Sequence, residues 1–371
     1  MAVSRHLSYA MVGGAEGSFI GPIHRMAIRL DNLATLVAGC FSRQAAKNRA
    51  TGEALRLDPT RVYATWRDLI ALERGKVDFL VISTTNETHF EIAKAALEAG
   101  MDVFCEKPIS FTSAEAETLA ALARRHRRIF GVPFTYLGYP MVKLARDLVK
   151  KGELGKIDKV TLEYVKGSFR KGRSGRGWKV DPKIAGPSCV VSDLGVHGFS
   201  MIEYVTGLEV TRLMADLSSF GNSRGLDDDA LMILHLEKGA KAIFTTSKVA
   251  TGEENGVRLR VYGRKASLFW DQESPNQLVV RSPFEPDRVY HRRAPYVGSL
   301  SPASVAASRF PAGHHEGFVE ALANIYDAFV AAVRTRKAGD FPSAREGVRS
   351  ICFVEAALRS AKNNSAWTNV S

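Results

Sequence analysis

The chain has 371 residues, 45% of them hydrophobic and 24% charged. That composition describes a folded protein of two domains and excludes a disordered or low-complexity one. No apolar run approaches the ~18 residues of a membrane span and nothing near Met1 reads as a signal peptide, so a cytoplasmic protein without membrane contact is expected. The formal charge of +12 is compatible with nucleic acid, and equally with an anionic cofactor or substrate.

Residues 7–12 form a short apolar strand, followed by Gly13-Gly14-Ala15-Glu16-Gly17-Ser18-Phe19-Ile20-Gly21 and a helix with an expected apolar face through Ile23, Met26, Ala27 and Leu30. A strand, a glycine turn and a helix N-terminus in that order bind a pyrophosphate through backbone N–H groups. The spacing departs from G-x-G-x-x-G, with Ala15 where the second glycine belongs and a longer run to Gly21. An ordinary strand-to-helix turn is therefore the competing reading. Cofactor contacts are expected at Gly13, Gly14, Ala15, Ser18, Phe19 and Ile20.

A second strand, 35–40, ends in Phe41-Ser42-Arg43. An NAD site usually carries an acid there for the ribose 2′-hydroxyl. Here Ser42 can donate to a 2′-phosphate, Arg43 can neutralise it or stack on adenine, and Lys47 lies one helical turn further on. This favours NADP over NAD, with a solvated helix start as the alternative.

The alternation continues with a helix at 64–74, a strand at 77–83 ending in Thr84-Thr85-Asn86-Glu87-Thr88-His89, and a helix closed by Gly100. The strand 103–105 then stops at Glu106-Lys107-Pro108, before a helix at 113–126 and a strand at 129–132. Strands alternating with helices make a parallel sheet, and right-handed crossovers bring the loops after the strands to one edge. Thr84, Thr85, Asn86, His89, Glu106 and Lys107 thereby join the cofactor set. Pro108 ends the strand and holds Lys107 at the sheet edge, where an ammonium can exchange protons. The alternative is a surface turn with a solvated Glu–Lys pair.

Beyond residue 133 the pattern changes. A helix at 139–151 precedes strands at 159–165, 211–218, 230–236, 241–247, 256–263, 266–270 and 277–282, which read as a mostly antiparallel sheet, and helices at 317–337 and 344–362 close the chain. Between the first two strands, Ser192-Asp193-Leu194-Gly195-Val196-His197 opens a helical pattern. In an α-helix Asp193 and His197 share a face at i and i+4, and a carboxylate there fixes the imidazole's tautomer and raises its basicity. A single structural histidine is the alternative. The stretch 166–183 holds seven Lys or Arg and four glycines, either a solvated loop or a lid attracting an anionic substrate. His314-His315-Glu316 reads as the start of a helix. The four cysteines are far apart and show no metal-binding spacing, so they read as reduced core thiols. The fold class is α/β: a Rossmann dinucleotide-binding domain at 1–133, and an α+β domain with a mostly antiparallel sheet at 134–371.

With Lys107, Asp193 and His197 in place, the sequence resembles the glucose–fructose oxidoreductase / inositol dehydrogenase / rhizopine-catabolism (Gfo/Idh/MocA) family over essentially its whole length. The resemblance rests on Glu106-Lys107-Pro108 combined with Asp193-x-x-x-His197. It implies hydride transfer between a nicotinamide cofactor and a carbinol carbon of a sugar, polyol or related ring. Lys107, Asp193 and His197 are the implied catalytic residues, and Lys107, Tyr136, Trp178, Lys179, Asp193, His197 and His314 the implied substrate contacts. It also implies an often cis Lys107–Pro108 peptide, and that 134–371 is the substrate-binding and oligomerisation α+β domain, with a large, mostly antiparallel open sheet on which a homo-oligomer (dimer or tetramer) is built. No metal is expected, because the sequence shows no metal-binding spacing. In the family's Thr-Pro-Asn-x-x-His segment, Thr85 replaces the proline. Two alternatives stay open: a nicotinamide-binding redox sensor without turnover, and a family variant using transient oxidation for hydrolysis or elimination. Nucleic acid is not expected, because only Phe169 and Trp178 interleave the cations of 166–183.

Overall fold

The structure, a computed structural model, describes residues 6–169, 177–220 and 225–371. The chain divides into two compact units, Met1–Pro133 with Leu322–Val348, and Phe134–Ala321 with Arg349–Ser371. The stretch Leu322–Val348, read from sequence as part of the second domain, thus groups with the first. The cause is aromatic packing: Tyr326 stacks on Phe104 at 4.1 Å, and Phe329 meets Phe79 edge-on at 5.4 Å.

In the first unit five parallel strands form one sheet. They are β1 (Leu7–Gly13), β2 (Ala34–Cys40), β3 (Phe79–Ser83), β4 (Asp102–Cys105) and β5 (Phe130–Gly131), in the order β2-β1-β3-β4-β5. Their apolar runs are buried, as expected of strands covered on both faces. The helix Ile20–Leu30 buries a different stripe from the expected one: Gly21, His24, Ala27 and Ile28 face inward, while Met26 and Leu30 are exposed. Close approach of Gly21 to the glycine loop sets this rotation, since a Cβ on Gly21 would lie 2.3 Å from the Gly14 Cα. The helix start read at Lys47 is the helix Ala45–Ala54, whose extent the sequence did not mark because it has almost no apolar stripe; Asn48, Thr51 and Gly52 are its buried residues.

In the second unit the strands are β6 (Ile157–Val165), β7 (Val210–Ser218), β8 (Asp229–Leu236), β9 (Lys241–Ser247), β10 (Gly256–Gly263), β11 (Ser267–Asp271), β12 (Gln277–Ser282), β13 (Glu285–His291) and β14 (Thr368–Asn369). They form one sheet in the order β13-β12-β11-β10-β6-β9-β8-β7-β14. Only β6 and β9 pair in parallel among the described residues; the other pairs are antiparallel. β13 and β14 were not foreseen, being exposed edge strands without an inward apolar row. The sheet is two-faced: along β8, Ala230, Met232, Leu234 and Leu236 are buried while Leu231 and Ile233 are exposed. The helix Val196–Thr206 lies on the buried face. A Cβ on Gly198 would meet the Phe244 ring at 2.4 Å, so glycine is needed for the helix to sit this close. The last long helices span Phe318–Thr335 and Ala344–Lys362, so His314-His315-Glu316 precedes a helix rather than opening one. Among the described residues no helix is long and apolar enough to cross a membrane. The four cysteines are buried and unpaired with one another.

Candidate active site

In the first unit β1 ends in Gly13 and Gly14, both with positive φ, 84° and 74°. A Cβ on Gly13 would collide with the Ser83 carbonyl oxygen at 2.5 Å, so the loop runs directly against the end of β3. Ala15 is buried and its carbonyl accepts the Ser18 N–H at 3.0 Å, while Phe19, the residue before the helix, is 77% exposed. The helix beginning at Ile20 has neither a side-chain cap nor an acid in its first turn. Its N-terminal N–H groups therefore suit an incoming anion. The Arg25 guanidinium donates to the Gly14 carbonyl at 2.8 Å and braces the loop from behind.

Past β2, the Ser42 hydroxyl accepts the Gln44 N–H at 3.1 Å, and Asn48 Oδ1 accepts the Phe41 N–H at 2.7 Å. Arg43 is exposed and lies 3.9 Å from the Glu87 carboxylate, and Lys47 is exposed on the next helix. In the loop after β3, the Thr88 hydroxyl donates to Thr84 and the Thr85 hydroxyl to Glu87, both at 2.8 Å, and Asn86 starts a 3₁₀ turn. His89 is fully buried, with Nδ1 2.7 Å from the Pro108 carbonyl and Nε2 3.1 Å from the Thr84 carbonyl. It ties the loop after β3 to the loop after β4, and burial pulls its pKa down.

At the end of β4 the Lys107–Pro108 peptide is cis, as the resemblance implies. The Glu106 carboxylate is used within the protein. Oε1 lies 2.9 Å from His24 Nε2, and Oε2 accepts the Lys107 N–H at 3.1 Å. The Tyr326 hydroxyl meets His24 Nδ1 at 2.7 Å. Burial alone would raise the Glu106 carboxyl, but the bond and charge of His24 and the neighbouring Lys107 hold it below its ordinary range. His24 and Tyr326 were missed in the sequence. The available signal was the stripe Gly21, His24 and Ile28, which has helical spacing and places a polar residue among buried ones.

In the second unit Val191–Gly195 is a single π-helical turn, and the α-helix begins at Val196. The α-helical i, i+4 relation assumed for Asp193 and His197 therefore does not apply across this junction. The turn is held by Asp227, whose carboxylate accepts the Ser188 hydroxyl at 2.8 Å and the N–H groups of Cys189, Val190 and Val191 at 3.0, 2.9 and 3.1 Å. Asp193 Oδ2 lies 2.9 Å from Lys179 Nζ and 3.1 Å from Lys248 Nζ. His197 is buried, edge-on to Tyr136 at 5.2 Å and Phe134 at 5.8 Å. The Tyr136 hydroxyl bonds the Tyr164 hydroxyl at 2.7 Å and accepts from Asn255 at 3.1 Å, and burial raises both phenols. Trp178 is partly exposed and the Lys179 ammonium lies over its ring. His314 is exposed, and its carbonyl accepts from Arg292, whose guanidinium is buried against Glu316 at 2.7 Å. Arg170, Lys171, Arg173 and Arg176 of the basic stretch lie outside the described residues. Lys248, Asp227, Tyr164 and Asn255 were not singled out from the sequence. Each acts through a partner far along the chain, so nothing in the local sequence marks it.

A turn that can receive a pyrophosphate after the first strand of a parallel sheet, and a second unit built on a mostly antiparallel one, are the features of a dinucleotide-dependent oxidoreductase of two domains. Family models agree. Residues 7–134 match the NAD-binding Rossmann fold of an oxidoreductase family, and residues 146–370 match that family's C-terminal α/β domain. The chain belongs to the Gfo/Idh/MocA oxidoreductase family. It is 36% identical to the uncharacterized oxidoreductase YfiI of Bacillus subtilis (strain 168), over 98% of this chain and 97% of that protein. An inositol dehydrogenase homolog from Azotobacter vinelandii, solved with NAD+, superposes with a TM-score of 0.94 at 36% identity, covering 99% of this chain and 98% of that one. The same homolog solved with NADH and myo-inositol gives a TM-score of 0.92 at 35% identity, covering 98% of each chain.

Proposed function

We propose that the protein is a dehydrogenase or reductase acting on a CH–OH group of a polyol or sugar ring with a nicotinamide dinucleotide. The observation that carries this reading is Lys107 in its framework: a partly buried lysine after β4, its backbone N–H held by Glu106 and Glu106 in turn by His24 on the helix behind the glycine loop. The glycine loop fits a pyrophosphate through its two positive-φ glycines and an uncapped helix start. When bound, the cofactor accepts or gives the hydride. The residues of this chain bind, orient and move the proton. His197, buried among Tyr136, Phe134 and Tyr164, is the candidate to take or return the hydroxyl proton, and Lys107 is the candidate hydrogen-bond donor from the first unit. Asp193 orients His197 or receives a neighbouring hydroxyl.

Ser42 and Arg43, with no acid beside them at the end of β2, support a ribose 2′-phosphate and so NADP ahead of NAD; the solved relatives named with NAD+ and NADH make NAD the competing cofactor. We further propose a homo-oligomer, dimer or tetramer, formed on the open face of the second sheet, where Leu231, Ile233 and Ile243 are exposed. The test of the function is a panel of polyols, sugars and sugar acids, scanned for absorbance change with NAD and NADP in parallel. Cofactor-dependent oxidation of at least one alcohol is expected. Tight NAD(P)H binding without turnover on any of them would favour a redox sensor instead.

A further inference from the structure

We propose that Lys248 is a positioning residue for Asp193, and that Lys179 is an exchangeable donor whose ammonium leaves Asp193 for an oxygen of the bound sugar or polyol. The inference rests on the reading above. Its starting point is that two ammonium groups share a single carboxylate oxygen, Asp193 Oδ2, at 2.9 Å from Lys179 and 3.1 Å from Lys248. Two like charges on one oxygen repel each other, which eases the departure of either, and the different burial of the two lysines decides which can leave.

Lys248 cannot leave cheaply. It is 3% exposed and follows β9, with its backbone N–H donated to the Asp228 carbonyl at 2.8 Å and its own carbonyl accepting the Phe169 N–H at 2.9 Å. Its ammonium has three hydrogens and three acceptors: Asp193 Oδ2, the Cys189 carbonyl at 3.1 Å and the Cys189 sulfur at 3.1 Å. Burial alone would lower the Lys248 pKa, yet Asp193 and Cys189 outweigh that and hold it raised, so the group stays charged. The bonds to Cys189 and to Asp193 span the entry and the middle of the π-helical turn. Lys248 thus sets the direction of the Asp193 carboxylate.

Lys179 is placed otherwise. Its side chain is half exposed, it sits on the short turn Trp178–Val180, and its other neighbour is the partly exposed Trp178 ring at 5.7 Å. Water can take over its charge when it lets go of Asp193. An aromatic face beside an ammonium that can swing is suited to a ring bearing hydroxyls: the ring packs on Trp178, Lys179 donates to one oxygen, and Asp193, still fixed by Lys248, accepts from another. One lysine acts on the geometry of the reaction and the other on affinity.

The experiment uses the full-length protein, saturating cofactor and a polyol active in the panel. Lys248→Met keeps the stem volume and Lys248→Ala leaves room for a small cation. Both should lower kcat by about 100-fold, the order expected when a reacting group loses its alignment, with NAD(P)H affinity unchanged. Methylammonium, but not tetramethylammonium, should restore kcat several-fold in Lys248→Ala. Lys179→Met should chiefly raise KM for the polyol, by roughly tenfold or more. Loss of kcat in Lys248→Ala that methylammonium leaves untouched, or a Lys179→Met variant with unchanged KM, would overturn the assignment. A crystal structure of Lys248→Met gives a readout without turnover. Asp193 turned from its present direction supports the proposal, and Asp193 unmoved refutes it. If no alcohol is oxidised by the unmodified protein, the dehydrogenase reading fails, while the crystallographic result still decides the role of Lys248.

Discussion

Replacing His24 by leucine, an apolar residue of similar volume, removes the hub between the glycine-loop helix, the Glu106 carboxylate and the Tyr326 hydroxyl. His24 is 0% exposed, so no water can take its place. The lost bond to an ionised carboxylate is worth about 1.5–3 kcal/mol, and the buried Tyr326 hydroxyl loses its hydrogen-bond partner at a further ~1–3 kcal/mol. A total destabilisation of about 2.5–6 kcal/mol is expected at neutral pH. The pH dependence is diagnostic. In the unmodified fold the Glu106 carboxyl is depressed below its ordinary value of 4.5, so it adds stability above that pH that is lost as pH falls through the folded value. Without His24, burial dominates and raises the same carboxyl. The leucine variant then gains on protonation, and its deficit shrinks as pH falls from 7 toward 5. Urea unfolding at both pH values, with hydrogen exchange across residues 79–105 reporting on the first unit, measures this. A double-mutant cycle with Glu106→Gln should show a coupling of roughly 0.5–3 kcal/mol. A cost below about 1 kcal/mol at pH 7, or one that does not vary with pH, would refute the network.

Lys107→Ala and His197→Ala should each lower turnover by roughly 10²–10⁴-fold while leaving NAD(P)H affinity nearly unchanged, measured by steady-state kinetics and fluorescence titration. Arg43→Ala should weaken NADPH by roughly 10–150-fold and NADH far less, the loss of one charge-assisted contact to a 2′-phosphate. Equal losses for both cofactors would mean that Arg43 only stacks on adenine, and an unmodified protein preferring NADH would reverse the assignment of NADP.

What was legible in the sequence was whatever depends on near neighbours along the chain. The parallel sheet announced itself through short apolar strands separated by helices. The end of β4 was plain because Pro108 forbids continuation and leaves Glu106 and Lys107 at the sheet edge. Asp193 and His197 were found by their spacing, but the local geometry assumed for them was α-helical. The π-helical turn is imposed by Asp227, which closes on Val191 from 36 residues away. The same distance problem hid the supporting residues: His24 meets Glu106 across 82 positions and Tyr326 across 302, and Lys248 meets Cys189 across 59.

A polar side chain on a buried stripe requires a partner, because an unmatched donor or acceptor in the interior costs more than the bond it would make. The stripe Gly21, His24, Ala27 and Ile28 carries that requirement openly, while the identity of the partner is set by the sheet order and by the return of Leu322–Val348 to the first unit. Lys248 carries no such signal, since a lysine after Thr245-Thr246-Ser247 reads as a solvated strand end until Cys189 and Asp193 are placed beside it. The candidate site residues could therefore be named from sequence, while the groups that partner them became visible only with the fold.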